Sequence, residues 1–282
     1  MNTLSLFDGM SCGQIALNTA GIKCDNYFAS EIKKHAIQVT QNNYPNTIQL
    51  GDVTKIKTAD LPKIDLLIGG SPCQDFSRGN ANRLGLKGDK SSLFYQWIRI
   101  FEETKPDYFL LENVVMPKED EILFNEYFGM NPLRINSELV SGQMRDRLYW
   151  TNIGGHTNDL FGFKTSKIEQ PKDKKIKLQD VLTSGYTDRE KARALLESDS
   201  RPLSTLEKMW HRYFSKGFTT VVFESECLDW KKGLRYLNQI ELERLQTVPE
   251  GYTHGLSRNQ AACLLGDGWT VDVIAHIFKG LK

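Results

Sequence analysis

With 282 residues, 40% of them hydrophobic and 25% charged, the chain has globular composition and length enough for one large domain and a small appendage. Its 36 Lys and Arg against 35 Asp and Glu leave a formal net charge of +1, so a polyanionic partner would be met by a local basic surface and not by overall charge. Five cysteines without a C-x-x-C pair give no disulfide framework or zinc site, and the absence of a basic signal region or an apolar run of about 20 residues predicts a reduced, cytoplasmic protein with no membrane span and no metal.

Thr3 to Phe7 reads as a short strand entering Asp8-Gly9-Met10-Ser11-Cys12-Gly13, after which Gln14 to Ala20 has helical spacing and Gly21 marks a stop. Strand, glycine turn and helix are how a nucleotide-type cofactor site opens, because the first helical amide groups face the ligand. A second unit follows, with Tyr27 to Ser30 as strand and Lys33 to Asn43 as helix. Glu31, at the strand end, reads equally as an acceptor for ribose hydroxyls and as an acid at a helix N-terminus. Gly51-Asp52-Val53 closes a third unit, Asp52 being either an acceptor for an adenine amino group or an ordinary turn residue.

Ile64 to Ile68 is an apolar run of strand length that stops at Gly69-Gly70 and passes into Ser71-Pro72-Cys73-Gln74. Gly, Gly, Ser and Pro before Cys73, with Gln and Asp after it, are the flanks of a stiff surface turn, which makes Cys73 the candidate nucleophile beyond the carboxyl end of a buried strand. The stretch 78–90 carries Arg78, Arg83, Lys87 and Lys90 and reads equally as a loop closing over a phosphate backbone and as a solvated loop. Ser91 is predicted to cap a helix to Thr104, with Leu93, Phe94, Trp97, Ile98 and Phe101 on its core face. The strand Tyr108 to Leu111 ends in Glu112-Asn113-Val114, which would set the Glu112 carboxylate beside Cys73.

Gln143-Met144-Arg145-Asp146-Arg147 leads into a strand from Leu148 to Asn152, and extended chain puts Arg145 and Arg147 on one side, for carboxylate, phosphate or base recognition or for structural ion pairs. From 155 to 233 the chain is polar and mildly basic, fifteen Lys and Arg against twelve Asp and Glu, and reads as a small second domain in which Tyr213, Lys216, Lys231 and Lys232 are candidate nucleic-acid contacts. Asn238 then caps Gln239 to Gln246, Ser257 caps Arg258 to Leu265, and Val271 to Phe278 is a final helix expected to pack back on the first domain. The expected fold is α/β, divided into 1–154, 155–233 and a 234–282 segment completing the first domain.

Leu6-Phe7-Asp8-Gly9, Ser71-Pro72-Cys73-Gln74, Glu112-Asn113-Val114, Gln143-x-Arg145-x-Arg147, Arg244-Leu245-Gln246 and the closing Gly266 to Val271 stand in the order of the DNA (cytosine-5) methyltransferase family, which the chain resembles on both sides of 155–233. In detail it is most similar to the branch that includes the animal de novo enzymes. The resemblance implies a Rossmann-like S-adenosylmethionine-dependent methyltransferase sheet with a small inserted target-recognition domain, acting on duplex DNA. It implies cofactor contacts from Phe7, Asp8, Gly9, Met10, Ser11, Cys12, Gly13, Glu31, Ile32, Asp52, Val53, Ser71, Pro72, Asp267, Gly268 and Trp269, with Phe7 against the adenine, Glu31 on the ribose and Asp52 on the adenine edge. Cys73 would add to carbon 6 of a flipped cytosine while Glu112 holds ring nitrogen 3, Arg147 steadies the carbonyl oxygen and Arg145 the surrounding loop. Gln74, Ser77, Arg78, Arg83, Gln143 and Lys216 are implied at the DNA. A minority branch methylates transfer RNA, the rival substrate. Where many members carry Gly-Asn in the closing motif, this chain carries Gly266-Asp267.

Overall fold

The computed structural model describes residues 1–70, 92–160, 162–196, 201, 203–217 and 219–281. Its first half alternates strand and helix: β1 (Asn2–Leu6), α1 (Cys12–Ala20), β2 (Asn26–Ser30), α2 (Lys34–Asn43), β3 (Ile48–Gln49), β4 (Leu66–Gly70), α3 (Ser92–Thr104), β5 (Tyr108–Val114), α4 (Lys118–Phe128) and β6 (Leu133–Asn136). The strands β7 (Gln143–Met144), β8 (Asp146–Thr151), β9 (His156–Asn158) and β10 (Lys164–Ser166) follow. Seven strands form one sheet in the order β3-β2-β1-β4-β5-β8-β6, parallel from β3 to β5 and antiparallel where β8 joins β5. This is the predicted α/β class, and the strand order reverses between β1 and β4, where open sheets of this kind bind ligands.

The chain packs as two compact units, one of Met1–Ile135, Asp146–Gln170 and Ile274–Lys282, the other of Asn136–Arg145 and Pro171–Val273. Composition alone marks its boundaries at 155 and 233 instead. The polar β9–β10 hairpin stays with the first unit through backbone bonds from Lys164 N to Gly129 O (3.0 Å) and from Asn131 N to Lys164 O (2.8 Å).

In the first unit Leu4, Leu6, Leu67, Leu111, Phe124 and Trp150 are wholly buried in one core, with Trp97 of α3 among them. The core face expected of α3 is borne out at Phe94, Trp97 and Ile98, while Ser91 lies outside the described residues. β4 runs two residues further than its apolar run, through Gly69 and Gly70. Packing requires the glycine there: a Cβ on Gly69 would stand 2.8 Å from the Leu6 carbonyl and 3.0 Å from Trp97 Nε1. β5 likewise extends to Val114, so that Glu112 sits inside the strand. The sequence reading gives no helix over Lys118–Phe128, where Phe124 alone is wholly buried; Glu119, Asp120 and Glu121 in its first turn complement the helix dipole, and Gly129 at φ 60° ends it.

The second unit is built of short pieces: α5 (Leu178–Val181), β11 (Ala192–Arg193), α6 (Leu206–His211), β12 (Val221–Phe223), β13 (Leu234–Tyr236), α7 (Gln239–Leu245), α8 (Arg258–Asp267) and the start of α9 (Val271–Phe278). Met209, Tyr213, Val221, Phe223 and Leu234 form a small core. The predicted caps of α7 and α8 are present as reciprocal pairs, Asn238 with Glu241 and Ser257 with Gln260. α9 buries Val273 and Ala275 as well as the expected Val271, Ile274, Ile277 and Phe278, so it is covered on more than one face. By length and composition the stretch Arg258–Leu281 is apolar enough to cross a bilayer, contrary to the sequence reading. Its apolar window is 67% buried within the protein and Gly268 to Thr270 interrupt it, as suits helices of a core.

Candidate active site and cofactor turn

The turn between β1 and α1 is bent by three residues in the left-handed region within five positions, Phe7 at φ 56°, Gly9 at 60° and Ser11 at 63°. For Phe7 and Ser11 this conformation costs about 1–3 kcal/mol each, so the surroundings must impose it. Asp8 N donates to Ser30 O (3.0 Å), Ser11 N to Asp8 O (3.1 Å), and Gly9 N to Glu31 Oε2 (2.8 Å). Beneath the turn the Asp8 carboxylate accepts from Ser11 Oγ and from Tyr27 Oη (2.8 Å), and Gln14 Nε2 reaches both Ser11 Oγ (3.0 Å) and Thr47 Oγ1 (2.8 Å). Burial pushes the Asp8 carboxyl up from 3.8 to about 6, against the hydrogen bonds of Ser11, Ser5 and Tyr27, and the charge of Glu31 adds to the rise. Gly13 starts α1 where a Cβ would stand 2.5 Å from Ile68 Cδ1 and 2.6 Å from Tyr27 Oη.

Glu31 Oε1 accepts from the amides of Ile32 (2.7 Å) and Lys33 (2.8 Å), so this one carboxylate serves the helix-terminal role and clamps the glycine turn. Beside it Ile32 is 71% exposed, an apolar side chain set at the edge of the turn. Asp52 Oδ1 accepts from Thr54 N (2.9 Å) and Thr54 Oγ1 (2.8 Å), and these bonds hold its carboxyl below the usual range. Met10, Cys12 and Val53 bury their side chains, so what they offer a ligand is backbone.

At the carboxyl end of β5, Glu112 is in register with Gly70 of β4 and with Tyr149 of β8. Arg147, two residues before Tyr149, is its diagonal neighbour across the antiparallel pair, and Arg147 Nε meets Glu112 Oε1 at 3.0 Å. Both side chains are nearly buried, 16% and 11% exposed, which strengthens their mutual attraction. Arg147 Nη1 also donates to Asp146 O (2.8 Å).

Arg145 does not share this environment. It stands between β7 and β8, in the second unit, and its guanidinium donates to the carbonyls of Leu195 (3.3 Å), Gly266 (3.1 Å) and Gly268 (2.9 Å), around the C-terminus of α8 and either side of Asp267. The expectation that extended chain sets Arg145 and Arg147 on one side is thus corrected, because the chain breaks between β7 and β8 at Arg145. Gln143 is corrected too: it is wholly buried, with Nε2 on Leu245 O (2.8 Å) and Gln246 Oε1 (2.9 Å) and Oε1 accepting from Leu195 N (3.2 Å), so it is no surface group for DNA. Tyr213, another candidate contact, belongs to the buried core, whereas Lys216 is exposed.

Gln246, which the sequence offers only as the end of a helix and of a motif, joins these parts. Its Nε2 donates to Leu265 O (2.5 Å) and its Oε1 accepts from Gln143 and from Thr270 Oγ1 (2.8 Å). Sequence reasoning missed Tyr27, and only its parity in β2, inward with Ala29, hinted at a buried role. Ser71, Pro72, Cys73, Gln74, Ser77, Arg78 and Arg83 lie outside the described residues.

Residues 1–121 match the C-5 cytosine-specific DNA methylase family. Over that stretch the chain is similar to the C-5 cytosine-specific DNA methylases. It is 41% identical over 115 residues to the type II methyltransferase M.NgoBV of Neisseria gonorrhoeae, covering 39% of this chain and 27% of that protein. It is 27% identical to the type II methyltransferase M.DsaV of Dactylococcopsis salina over 97% of this chain and 84% of the other. The matches to the first four curated relatives span between 27% and 43% of their lengths. The Dnmt2 methyltransferase of S. pombe has the same fold, with a TM-score of 0.71 at 17% identity over 100% of this chain and 99% of that one.

Proposed function

We propose that this methylase relative transfers a methyl group from S-adenosylmethionine to carbon 5 of a cytosine flipped out of duplex DNA. The observation that carries the reading is the nearly buried Glu112–Arg147 pair at the carboxyl end of β5, in register with Gly70, three residues before Cys73. The turn residues fit the cofactor: a bent glycine turn with backbone close to the surface, an exposed Ile32 for an adenine face, and Glu31 and Asp52 as acceptors for ribose and adenine groups. When bound, S-adenosylmethionine supplies a methyl group activated on a positively charged sulfur.

Carbon 5 of cytosine is a poor nucleophile, so the Cys73 thiolate adds to carbon 6 and leaves the ring as an enamine. Glu112, fixed by Arg147, holds ring nitrogen 3 and draws electron density away from carbon 6, while Arg147 steadies the charge on the carbonyl oxygen. After carbon 5 gains the methyl group it loses its proton to a base, the carbon 6–sulfur bond breaks, and Cys73 leaves as thiolate with the aromatic ring restored. The target atom is inaccessible in a stacked duplex, which requires flipping; Arg78 and Arg83 are the loop cations proposed to close over the backbone, with Gln74, Ser77 and Lys216 at the DNA. Arg145 acts as a support for Asp267-Gly268-Trp269 and does not touch substrate.

Trapping tests the reaction. DNA carrying 5-fluorocytosine cannot lose fluorine as the proton is lost, so the protein incubated with it and S-adenosylmethionine is expected to form an adduct that survives denaturation, and Cys73→Ser none. An adduct formed equally by the Ser variant refutes the role of Cys73; adduct formation on fluorocytosine-substituted transfer RNA alone would move the substrate to RNA.

A further inference from the structure

The second unit carries a ladder of stacked aromatic rings. Trp210 of α6 lies in the middle: its ring is 5.1 Å from that of Phe214 at 14° and 5.8 Å from that of Trp230 at 5°. These are offset stacks, an arrangement that aromatic faces prefer. Met209, Tyr213, Val221, Phe223 and Leu234 back Trp210 and Trp230 from the small core, and Trp210 meets Phe223 edge-on at 6.2 Å. At the Trp230 end the Lys231 ammonium lies over the ring at 5.8 Å, and Asp229 Oδ1 fixes this corner by accepting from Lys231 N (3.0 Å). At the other end Phe214 is 70% exposed, and among the described residues no ring but Trp210 and no cation lies over it. Local winding holds it there. After α6 the chain turns as a π-helix over Arg212–Lys216, a device that recurs at functional sites, and Gly217 at φ 66° ends it by donating to Arg212 O (3.0 Å).

A bare aromatic face takes either a flat ring or an organic cation, and the neighbouring charges decide between them. Residues 206–216 hold Lys208, His211, Arg212 and Lys216 against Glu207 alone, which repels a cation and suits a chain of phosphates. The acids Glu224, Glu226 and Asp229 belong to the loop that carries Trp230. Bases inside a duplex keep their faces covered by their neighbours, so the ring that Phe214 can receive is an unpaired one. We propose that the outer face of Phe214 binds an unpaired nucleobase of a single nucleic-acid strand, stacked as the next member of the Phe214–Trp210–Trp230 ladder, with Lys216 on the strand's phosphates. The base is held by its face and its edge is not read, so binding tolerates any sequence. This site does not depend on the methyl-transfer reading, since no bond is made or broken there.

The test is fluorescence anisotropy of labelled oligodeoxythymidine, oligouridine and a blunt duplex without unpaired bases, each titrated with the full chain. Phe214 is mostly in solvent, so its replacement leaves the fold intact, which circular dichroism checks. Phe214→Ala is expected to bind the single strands about 5- to 150-fold more weakly than wild type. Phe214→Leu keeps apolar bulk without a π-face and is expected to bind nearly as weakly as Phe214→Ala, whereas Phe214→Trp binds at least as tightly as wild type. Affinity for the duplex, which is held by its phosphates, is expected to change by less than about twofold in all three. Lys216→Ala is expected to lower the slope of log affinity against log salt for the single strands by about 0.7. Whichever of the deoxyribose and ribose strands binds more tightly identifies the strand the site takes. Failure of wild type to bind either strand, or single-strand affinities for Phe214→Ala or Phe214→Leu equal to that of wild type, overturn the inference. Loss of duplex affinity in step with single-strand affinity overturns it as well, because Phe214 is then a general contact and not a seat for an unpaired base.

Discussion

Replacing Asp8 by Asn should change how stability depends on pH in a direction that the burial of Asp8 fixes. A free aspartate titrates near 3.8 and burial raises Asp8 to about 6, so between these values the folded protein holds a proton that the unfolded chain has lost. Stability from this group is therefore fully present below about pH 4 and is lost as pH rises through 6. The difference of about 2.2 pKa units corresponds to about 3 kcal/mol, since each unit is worth 1.36 kcal/mol. Asn keeps the shape and cannot ionise, so Asp8→Asn should gain about 2.4 kcal/mol of this relative to wild type between pH 4 and pH 7.5, whatever its offset at pH 4. Urea unfolding of both proteins at four pH values across that range measures the gap, and carboxylates common to both cancel in it. Curves that stay parallel, or a gap that closes as pH rises, would refute the burial argument.

Gly69→Ala should cost about 1–3 kcal/mol in urea unfolding, because the new methyl group meets the rigid Leu6 carbonyl and the Trp97 ring; unchanged stability would mean that the contact is not close. Gln246→Ala should destabilise by about 3 kcal/mol or more, since Leu265 O, the Gln143 amide and the Thr270 hydroxyl each lose a buried partner; a loss under about 0.5 kcal/mol would show that they re-pair. Glu112→Gln should lower methyl transfer by about 10²–10⁴-fold while leaving affinity for S-adenosylmethionine within about threefold, and a variant of near-wild-type rate would remove Glu112 from the chemistry.

Local rules carried far along this chain. The β1 turn, the stop at Gly21, the capping boxes at Asn238 and Ser257 and the aromatic face of α3 are set by neighbours within four residues, and each is legible from spacing alone. The errors fall where distant partners decide. Gly69 and Gly70 read as a strand end because two glycines usually break a strand, yet Trp97 from α3 needs the empty space there. Arg145 and Arg147 look equivalent two residues apart, but one is drawn to the carbonyls around Gly266 and Gly268 and the other to Glu112. Gln143 read as a contact for DNA and Gln246 as the end of a helix, and only their pairing across about a hundred residues of chain makes them core. Composition placed the second domain at the polar stretch, whereas buried acids such as Glu241, held by Arg235, Thr183 and Asn238, bind later residues into the same unit. Glu31 left two readings open in sequence, and in the structure its carboxylate caps the following amides and clamps the glycine turn at once.

The central claim is tested most directly by incubating the protein with S-adenosylmethionine labelled in its methyl group and unmethylated duplex DNA, with transfer RNA in parallel, and reading the DNA by bisulfite sequencing. The account predicts label in the duplex at cytosines of one short context, no label in transfer RNA, and none in either with Cys73→Ser. Label confined to transfer RNA, or label in DNA that Cys73→Ser retains, would contradict it.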